Sequence, residues 1–299
     1  MSAAPGCVAA GHPLSRLTTV GTGGPARWFA RPRTQLELEQ VLAWAGGEGL
    51  ELAVVGLGSN LLAADEGYDG LVLRLTGELA AIERDGHRIV CGGGAALAAI
   101  VRRSQEWGLS GIEFGCAIPG TAGGAVRMNA GAHGGEMAAV LAEAVVTGPA
   151  GARRGGPAEL GMSYRHSNVA ADEVVSQAVL ALRSDDPARI RARVAAMQRH
   201  RRETQPAKVR TFGSVWKNPE GDRSAGRLLE ECGLKGFAIG GARISPVHAN
   251  FIENTGTATS ADVVGLMVEA RRRAFERFGV RLEHEVQFLG PIGLPSAPG

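Results

Sequence analysis

The chain has 299 residues, a formal net charge of +2, 44 glycines and four cysteines. That length can bury a substantial core and suits two domains, or three. So small a net charge gives no electrostatic case for a nucleic acid or an anionic membrane as partner.

Taken in chain order, residues 1–13 are small and polar and read as a loose tail. Thr18–Ala26 leads into a short strand-like run, Arg27–Ala30. Leu36, Leu38, Val41, Leu42 and Ala45 recur at helical spacing over 35–46, and the pattern stops at Gly46-Gly47. Leu52–Val55 reads as a buried strand ending directly in Gly56-Leu57-Gly58-Ser59-Asn60. A strand feeding Gly-x-Gly invites a dinucleotide-binding reading, but the fingerprint needs a third glycine where this chain has Leu61. Gly92-Gly93-Gly94 fails the same test, and no P-loop pattern occurs. A plain β-turn, with Ser59 and Asn60 as turn formers, stays open for this stretch.

Residues 70–75, 88–91 and 174–182 read as strands, and 97–107 as a helix with Leu97, Ile100 and Val101 inward. Their irregular alternation lacks a steady βαβ repeat, which points to an α+β domain over about 14–185. Within it, Gly115–Gly134 holds six glycines. Such density implies a backbone in special conformations, or one lying against something large, and bare amides near a helix start suit phosphates. A tightly turned connection between packed elements is the competing reading. Asp186-Pro187 starts a helix to about Arg202, whose arginines scatter around it as on a solvated surface. A helix over 224–232 closes at Gly233. A longer one, capped by Thr259 or Ser260 with Asp262 in its first turn, stops at Gly279. Residues 291–299 read as a second tail.

The four cysteines form no C-x-x-C pair and read as free thiols of a reducing compartment, while the seven histidines lack zinc-ligand spacing. No apolar run is long enough to span a membrane, so a soluble cytoplasmic protein is expected. Three polar spots are candidates for chemistry. In Ser163–Ser167, Arg165 beside Tyr164 offers a fixed cationic fork for an anionic substrate. In Phe212–Pro219, Ser214 follows a glycine without a Gly-x-Ser-x-Gly elbow, and spacing nominates no base. A neutral hydroxyl is too weak an acid for ordinary leaving groups but can protonate a carbanion or enolate. In Leu282–Val286, Glu283 and Glu285 flank His284 ahead of an apolar run.

These stretches resemble, in order, the motifs of the UDP-N-acetylenolpyruvoylglucosamine reductase family. Ile118–Val126 followed by Met128–Ala132 is similar to its flavin-binding signature, and Gly56–Asn60 to its second flavin contact. Residues 163–167 match its Tyr-Arg-x-Ser motif, 212–219 its Gly-Ser-Phe-Phe-Lys-Asn-Pro motif and 282–286 its Leu-Glu-Pro-Glu-Val end; 225–236 and 248–252 resemble its substrate domain. The resemblance runs from about Leu14 to Gly290 and departs at Leu57, His133, Trp216 and His284. The family's tyrosine-bearing insertion before the serine motif is not apparent, as in its shorter, type II-like subclass.

The resemblance implies an α+β fold: an FAD-binding domain of the vanillyl-alcohol-oxidase/PCMH type over 14–185 in two subdomains, about 14–75 and 76–185. A connecting helix at 186–203 and a smaller α+β substrate-binding domain at 204–290 follow, the latter with its C-terminal strand returning to the active site. It implies FAD held by Gly56, Gly58, Ser59, Asn60, Ile118, Pro119, Gly120, Thr121, Gly123, Gly124, Asn129, Ala130 and Gly131. Substrate would meet Tyr164, Lys217, Asn218, Gly226, His248 and Asn250. NADPH would reduce FAD, and UDP-N-acetylglucosamine enolpyruvate would then be reduced to UDP-N-acetylmuramate for peptidoglycan, with no metal, nucleic acid or membrane involved. Arg165 would stabilise the enolate, Ser214 would protonate it, and Glu285 would complete the electrostatic setting. A flavin-dependent oxidase of the same fold and a non-catalytic binding module are the alternatives.

Overall fold

The structure is a computed structural model and describes residues 3–295. Residues 1–2 and 296–299, the outer ends of the two expected tails, lie outside the described residues. The chain divides into two compact units that alternate along the sequence. The first takes the residues up to Ala10, 28–57 and 70–201; the second takes 11–27, 58–69 and the residues from Arg202 onward. Continuous domains over 14–185 and 204–290 are the reading along the sequence, whereas 11–27 and 58–69 cluster with the C-terminal residues. Strand pairing between distant segments causes this, and local periodicity does not report it.

Two sheets lie mostly in the first unit. One runs in the order β1 (Val8–Pro13), β2 (Pro25–Ala30), β5 (Tyr68–Leu73), β3 (Leu52–Val54). Helix α1 (Gln35–Gly47) buries Leu38, Val41, Leu42, Trp44 and Ala45, and the Thr34 hydroxyl caps its start by accepting from the Glu37 amide. Residues 8–13, read as tail, form edge strand β1. Its own sequence has little strand character, and pairing, including Arg31 N–H to the Cys7 carbonyl at 3.1 Å, orders it.

The other sheet is antiparallel, in the order β12 (Gly151–Gly155), β11 (Leu141–Gly148), β13 (Val174–Ala181), β7 (Arg88–Gly92), β6 (Ile82–Asp85). With α2 (Leu97–Glu106) and α3 (Ala122–Arg127) it encloses Ile89, Ile100, Val126, Met137, Val146 and Leu180, all fully buried. Two small pairs complete the unit. β8 (Leu109–Ser110) pairs with β14 (Arg183–Ser184), and β9 (Gly131–Ala132) turns back on β10 (Gly135–Glu136). His133 and Gly134 form that hairpin tip with φ of +51° and +77°, the positive pair that a two-residue turn of the I′ kind demands. Helix α4 (Pro187–Thr204) begins where Asp186 accepts from the Ala188 amide at 2.8 Å.

The second unit packs a three-stranded antiparallel sheet, β15 (Ala238–Ile239), β16 (Ala242–Ile244) and β17 (Ile252–Asn254), with α5 (Ala225–Glu231) and α6 (Ser260–Phe278). β18 (Gln287–Leu289) lies parallel to β4 (Leu61–Ala63). Phe212, Trp216, Leu229, Met267 and Val286 share its core with Val20 and Leu62. Thr259 is the cap of α6, in a reciprocal pair with Asp262, and Gly279 closes the helix at φ +68°. Ser260, the other cap candidate, instead donates to the Ala63 carbonyl at 2.6 Å. Asp65 accepts from the first two amides of the helix.

A partly buried cluster of one arginine and two carboxylates braces the approach to the glycine-rich stretch. Arg193 of α4 donates to Glu113 at 2.7 Å and to Asp185 at 2.6 Å. Burial pushes the Glu113 carboxyl up, but hydrogen bonds from Arg193, from its own and the Gly111 amides and from Ser110 outweigh it and hold the group below the ordinary carboxylate range. A depressed carboxylate stabilises the fold above its unfolded pKa, and the contribution fades as pH falls through the folded value. Glu113→Gln should therefore cost about 1–2 kcal/mol at pH 7. In urea unfolding followed from pH 7 downward, the gap between variant and native protein should close in acid.

Candidate functional site

In the first unit a 3₁₀ turn, Glu113–Ala117, delivers the chain to Ile118, Pro119 and Gly120, and Thr121 caps α3. The Leu97 amide donates to the Gly120 carbonyl at 2.9 Å and the Ala122 amide to Ala95 at 2.8 Å, so the loop is pinned from behind. Among the described residues, the Gly120 and Thr121 amides have no backbone acceptor. A Cβ at Gly120 would meet nothing nearer than 3.9 Å, and at Gly124 nothing nearer than 3.6 Å. Neither packing nor positive φ demands glycine there, so bare backbone beside free amides faces space fit for a large ligand's phosphates. Gly123 differs: its amide donates to Gly93, and a Cβ would lie 3.0 Å from the Gly93 and Val175 carbonyls. It is glycine because α3 lies on the sheet. Gly56 is bare because a Cβ would sit 2.6 Å from the Thr121 hydroxyl.

Tyr164 and Arg165 form the tip of a tight turn closed by paired bonds between Ser163 and His166. Arg165 is left-handed at φ +56°, and its guanidinium donates to the Gly131 carbonyl at 2.9 Å and lies 5.1 Å from the Tyr164 ring centre. Asn129, 1 % exposed, donates to the Ser163 carbonyl and accepts from the Ala138 amide. The Ser167 hydroxyl donates to the Arg127 carbonyl. The glycine-rich stretch and the Tyr-Arg turn therefore fix each other, and the Asn129 side chain, expected at the cofactor, bonds across that joint. Ala130 and Gly131 lie beside it, Gly131 opening the β9–β10 hairpin.

In the second unit, main-chain bonds join three motifs that are far apart in sequence. The Asn60 carboxamide donates to the Glu285 carbonyl at 2.9 Å, the Glu285 amide to the Val215 carbonyl at 2.9 Å, and the Val215 amide to the Asn250 carbonyl at 2.9 Å. Ser214 bridges Phe251 and Trp216 bridges His284. Ser214 and Glu285, nominated separately from sequence, thus lie on neighbouring hydrogen-bonded segments, both partly exposed. Gly58 has φ +68°, and any Cβ there would strike the Leu17 carbonyl. Thr19 holds that turn, its amide donating to the Gly58 carbonyl and its hydroxyl to Thr211. Ser59 and Asn60 follow directly, with Leu57 36 % exposed before them. Thr19 carries no sequence signal of its own among the threonines around it.

The remaining nominated residues are also in this unit. Lys217 pairs with Glu283 at 3.3 Å, and Asn218 accepts from the Ala225 amide at the start of α5. Burial, with the Lys235 charge second, holds the His248 imidazole below its usual pKa, so it is neutral at pH 7. Its Nδ1 accepts from the Asn250 amide at 3.2 Å, leaving the proton on Nε2. Gly226 is bare because a Cβ would come 2.6 Å from His248 Cε1. The Asn250 carboxamide, 4 % exposed, bonds both the amide and the carbonyl of Trp216 and so faces the chain itself. Among the described residues no cluster of three or more His, Cys, Asp or Glu could hold a metal ion, and no helix is long and apolar enough to cross a membrane.

Residues 26–152 match the family described as FAD binding domain. Residues 205–289 match UDP-N-acetylenolpyruvoylglucosamine reductase, C-terminal domain. With the α+β architecture, these define an FAD-dependent oxidoreductase in which an FAD-binding domain is followed by a smaller α+β domain. A UDP-N-acetylenolpyruvoylglucosamine reductase of Symbiobacterium thermophilum is 46 % identical over 96 % of this chain and 93 % of its own. One of Paramagnetospirillum magneticum is 43 % identical over 93 % of this chain and 90 % of its own. The crystal structure of the enzyme from Thermus caldophilus superposes with a TM-score of 0.82 at 38 % identity, covering 93 % of this chain and 97 % of that one. The chain belongs to the UDP-N-acetylenolpyruvoylglucosamine reductase family.

The open backbone at Gly120 and Gly124 fits FAD, and it separates folding from cofactor retention. Gly120→Val should fold with unchanged circular dichroism, because its Cβ enters open space. It should bind FAD at least about tenfold more weakly, read as flavin absorbance per protein after gel filtration.

Proposed function

We propose that Arg165, Ser214 and Glu285 carry the chemistry of this FAD-dependent reductase, which takes NADPH as reductant and UDP-N-acetylglucosamine enolpyruvate as substrate in peptidoglycan precursor synthesis. FAD, when bound, supplies the hydride that the vinyl carbon of the substrate receives. Reduction at that carbon leaves negative charge next to the substrate carboxylate, and the residues of the chain must manage it. Arg165, held in a left-handed turn by Asn129 and Gly131, presents a fixed cation to the enolate. Ser214 donates its hydroxyl proton to the carboxylate-bearing carbon and regains one from water. Glu285 fixes the field beside the hydroxyl. Gly56, Gly58, Ser59, Asn60, Ile118–Thr121, Gly124 and Ala130–Gly131 border FAD, while Tyr164, Lys217, Asn218 and His248 take the substrate. The neutral His248 adds no charge of its own to that side. The protein acts in the cytoplasm, where its four cysteines stay free thiols; its partners are NADPH and the sugar nucleotide, without nucleic acid or membrane.

The hydrogen-bonded ladder from Asn60 through Glu285 and Val215 to Asn250 carries this reading, because it sets the serine and glutamate motifs side by side. Holoprotein reduced anaerobically with NADPH should recover oxidised flavin absorbance when the enolpyruvyl sugar nucleotide is added, with one UDP-N-acetylmuramate formed per flavin. Flavin that stays reduced until air enters would instead mark an oxidase. Ser214→Ala should leave reduction by NADPH intact and slow reoxidation by substrate by roughly 10²–10⁴-fold.

A further inference from the structure

We propose that Asn250 is a positioning residue that aims the Ser214 hydroxyl; this rests on Ser214 being the proton donor. The segment carrying Ser214 is not a regular strand. On one side it bonds Glu283 and Glu285 through the Lys217 amide and the Val215 carbonyl, as a strand would. On the other, the main chain of Asn250 supplies a single rung, to the Val215 amide at 2.9 Å. The next two groups, the Trp216 amide and carbonyl, are bonded instead by the Asn250 side chain, Oδ1 and Nδ2 each at 2.9 Å. One carboxamide thus replaces a peptide unit of a neighbouring strand and fixes the chain two residues after Ser214. Asn250 is 4 % exposed and Trp216 2 % exposed, so neither rung has water as a substitute. The backbone amide of Asn250 is held in turn by His248 Nδ1.

This precision matters because the reaction builds a stereocentre. As hydride adds to the vinyl carbon, the double-bond electrons move toward the carboxylate. The Ser214 O–H bond then breaks as a C–H bond forms at the carbon bearing that carboxylate. A planar enolate accepts a proton on either face, and a donor fixed on one face sets both rate and configuration.

The test uses holoenzyme with Asn250→Leu, Asn250→Asp and Ser214→Ala in anaerobic stopped flow, with chiral analysis of the lactyl group formed. Asn250→Leu should leave flavin reduction by NADPH within about twofold and slow reoxidation by substrate roughly 10–100-fold. A minor lactyl epimer from solvent protonation should appear. Asn250→Asp should be slow at high pH and approach native rates as pH falls. A neutral carboxyl offers one acceptor and one donor, as the amide does, whereas a carboxylate has no donor for the Trp216 carbonyl. The titratable groups around this side chain are His248 on its own segment, Lys217 beyond Trp216, and Glu283, His284 and Glu285 on the facing segment. Native enzyme carries all of them, so the variant is read as a ratio to native at each pH. General loosening of the unit would not give a ratio that recovers in acid. If Asn250→Leu fails to fold, the pH dependence of Asn250→Asp decides. Native reoxidation and a single epimer in the Asn250 variants across pH 6–10, with Ser214→Ala inactive, would overturn the positioning role alone. Native reoxidation in Ser214→Ala would overturn the donor assignment and this proposal with it.

Discussion

The parallel pairing of β18 with β4 is the constraint on which the second unit depends. Gln287, Phe288 and Leu289 lie opposite Leu61, Leu62 and Ala63, and the pairing is extended at both ends by Gln287 N–H to the Asn60 carbonyl and Ala64 N–H to the Leu289 carbonyl. Side chains alternate along β18, so register is decided by what each face buries. Val286 is buried and Phe288, two residues on, packs against the same apolar cluster, while Gln287 between them is exposed. A slip of one residue would turn Val286 out and drive Glu285 toward the apolar cluster, where an unpaired carboxylate is costly. Register therefore places the glutamate, and the ladder from Glu285 to Val215 passes that placement to the serine segment.

Asparagines, three of them buried and Asn60 half-buried, recur at the joints of both units. Asn60, Asn129, Asn250 and Asn254 each donate a carboxamide hydrogen bond to a backbone carbonyl of a distant segment, and Asn129, Asn250 and Asn254 also accept from backbone amides. Glycine-rich and turn segments leave main-chain groups without strand or helix partners, and buried groups of that kind must be bonded. Asparagine, with one donor group and one acceptor of peptide geometry, meets that need within irregular chain. The glycine-rich and polar stretches of this chain thus come with carboxamides that hold them in place.

Much of this was visible in the sequence. Helical spacing gave α1 and α2 to within a residue or two, the Asp186-Pro187 pair marked the start of α4, and Gly279 marked the end of α6. The α+β class followed from irregular alternation, and the family from ordered motifs. What stayed hidden depends on partners distant in the chain. Val8–Pro13 has little strand pattern of its own and is ordered by its edge pairing. Thr18–Ala26 and Leu61–Ala63 give no local sign that they cluster with residues beyond Arg202. Gly56, Gly123 and Gly226 read alike as ligand-facing glycines; only packing reveals that Thr121, the sheet and His248 respectively exclude a Cβ there. The main-chain bonds of the Asn129 and Asn250 side chains were equally hidden, because a motif records that a residue is needed, not which neighbours it bonds.

The discontinuous make-up of the second unit bears on how the chain is made. Residues 11–27 and 58–69 leave the ribosome long before β18, the strand that pairs with β4. Until then Leu62 and Val20 lack the core that buries them, and β4 is an unpaired edge. The two sheets of the first unit contain most of their own partners and mature earlier, in the usual order of synthesis. Closing the loop from Ala63 to Gln287 is a late, high-contact-order step, and it is the step that brings Glu285 to the serine segment. A nascent chain therefore assembles its glycine-rich loop well before its Ser214–Glu285 ladder, with a hydrophobic strand exposed in the interval.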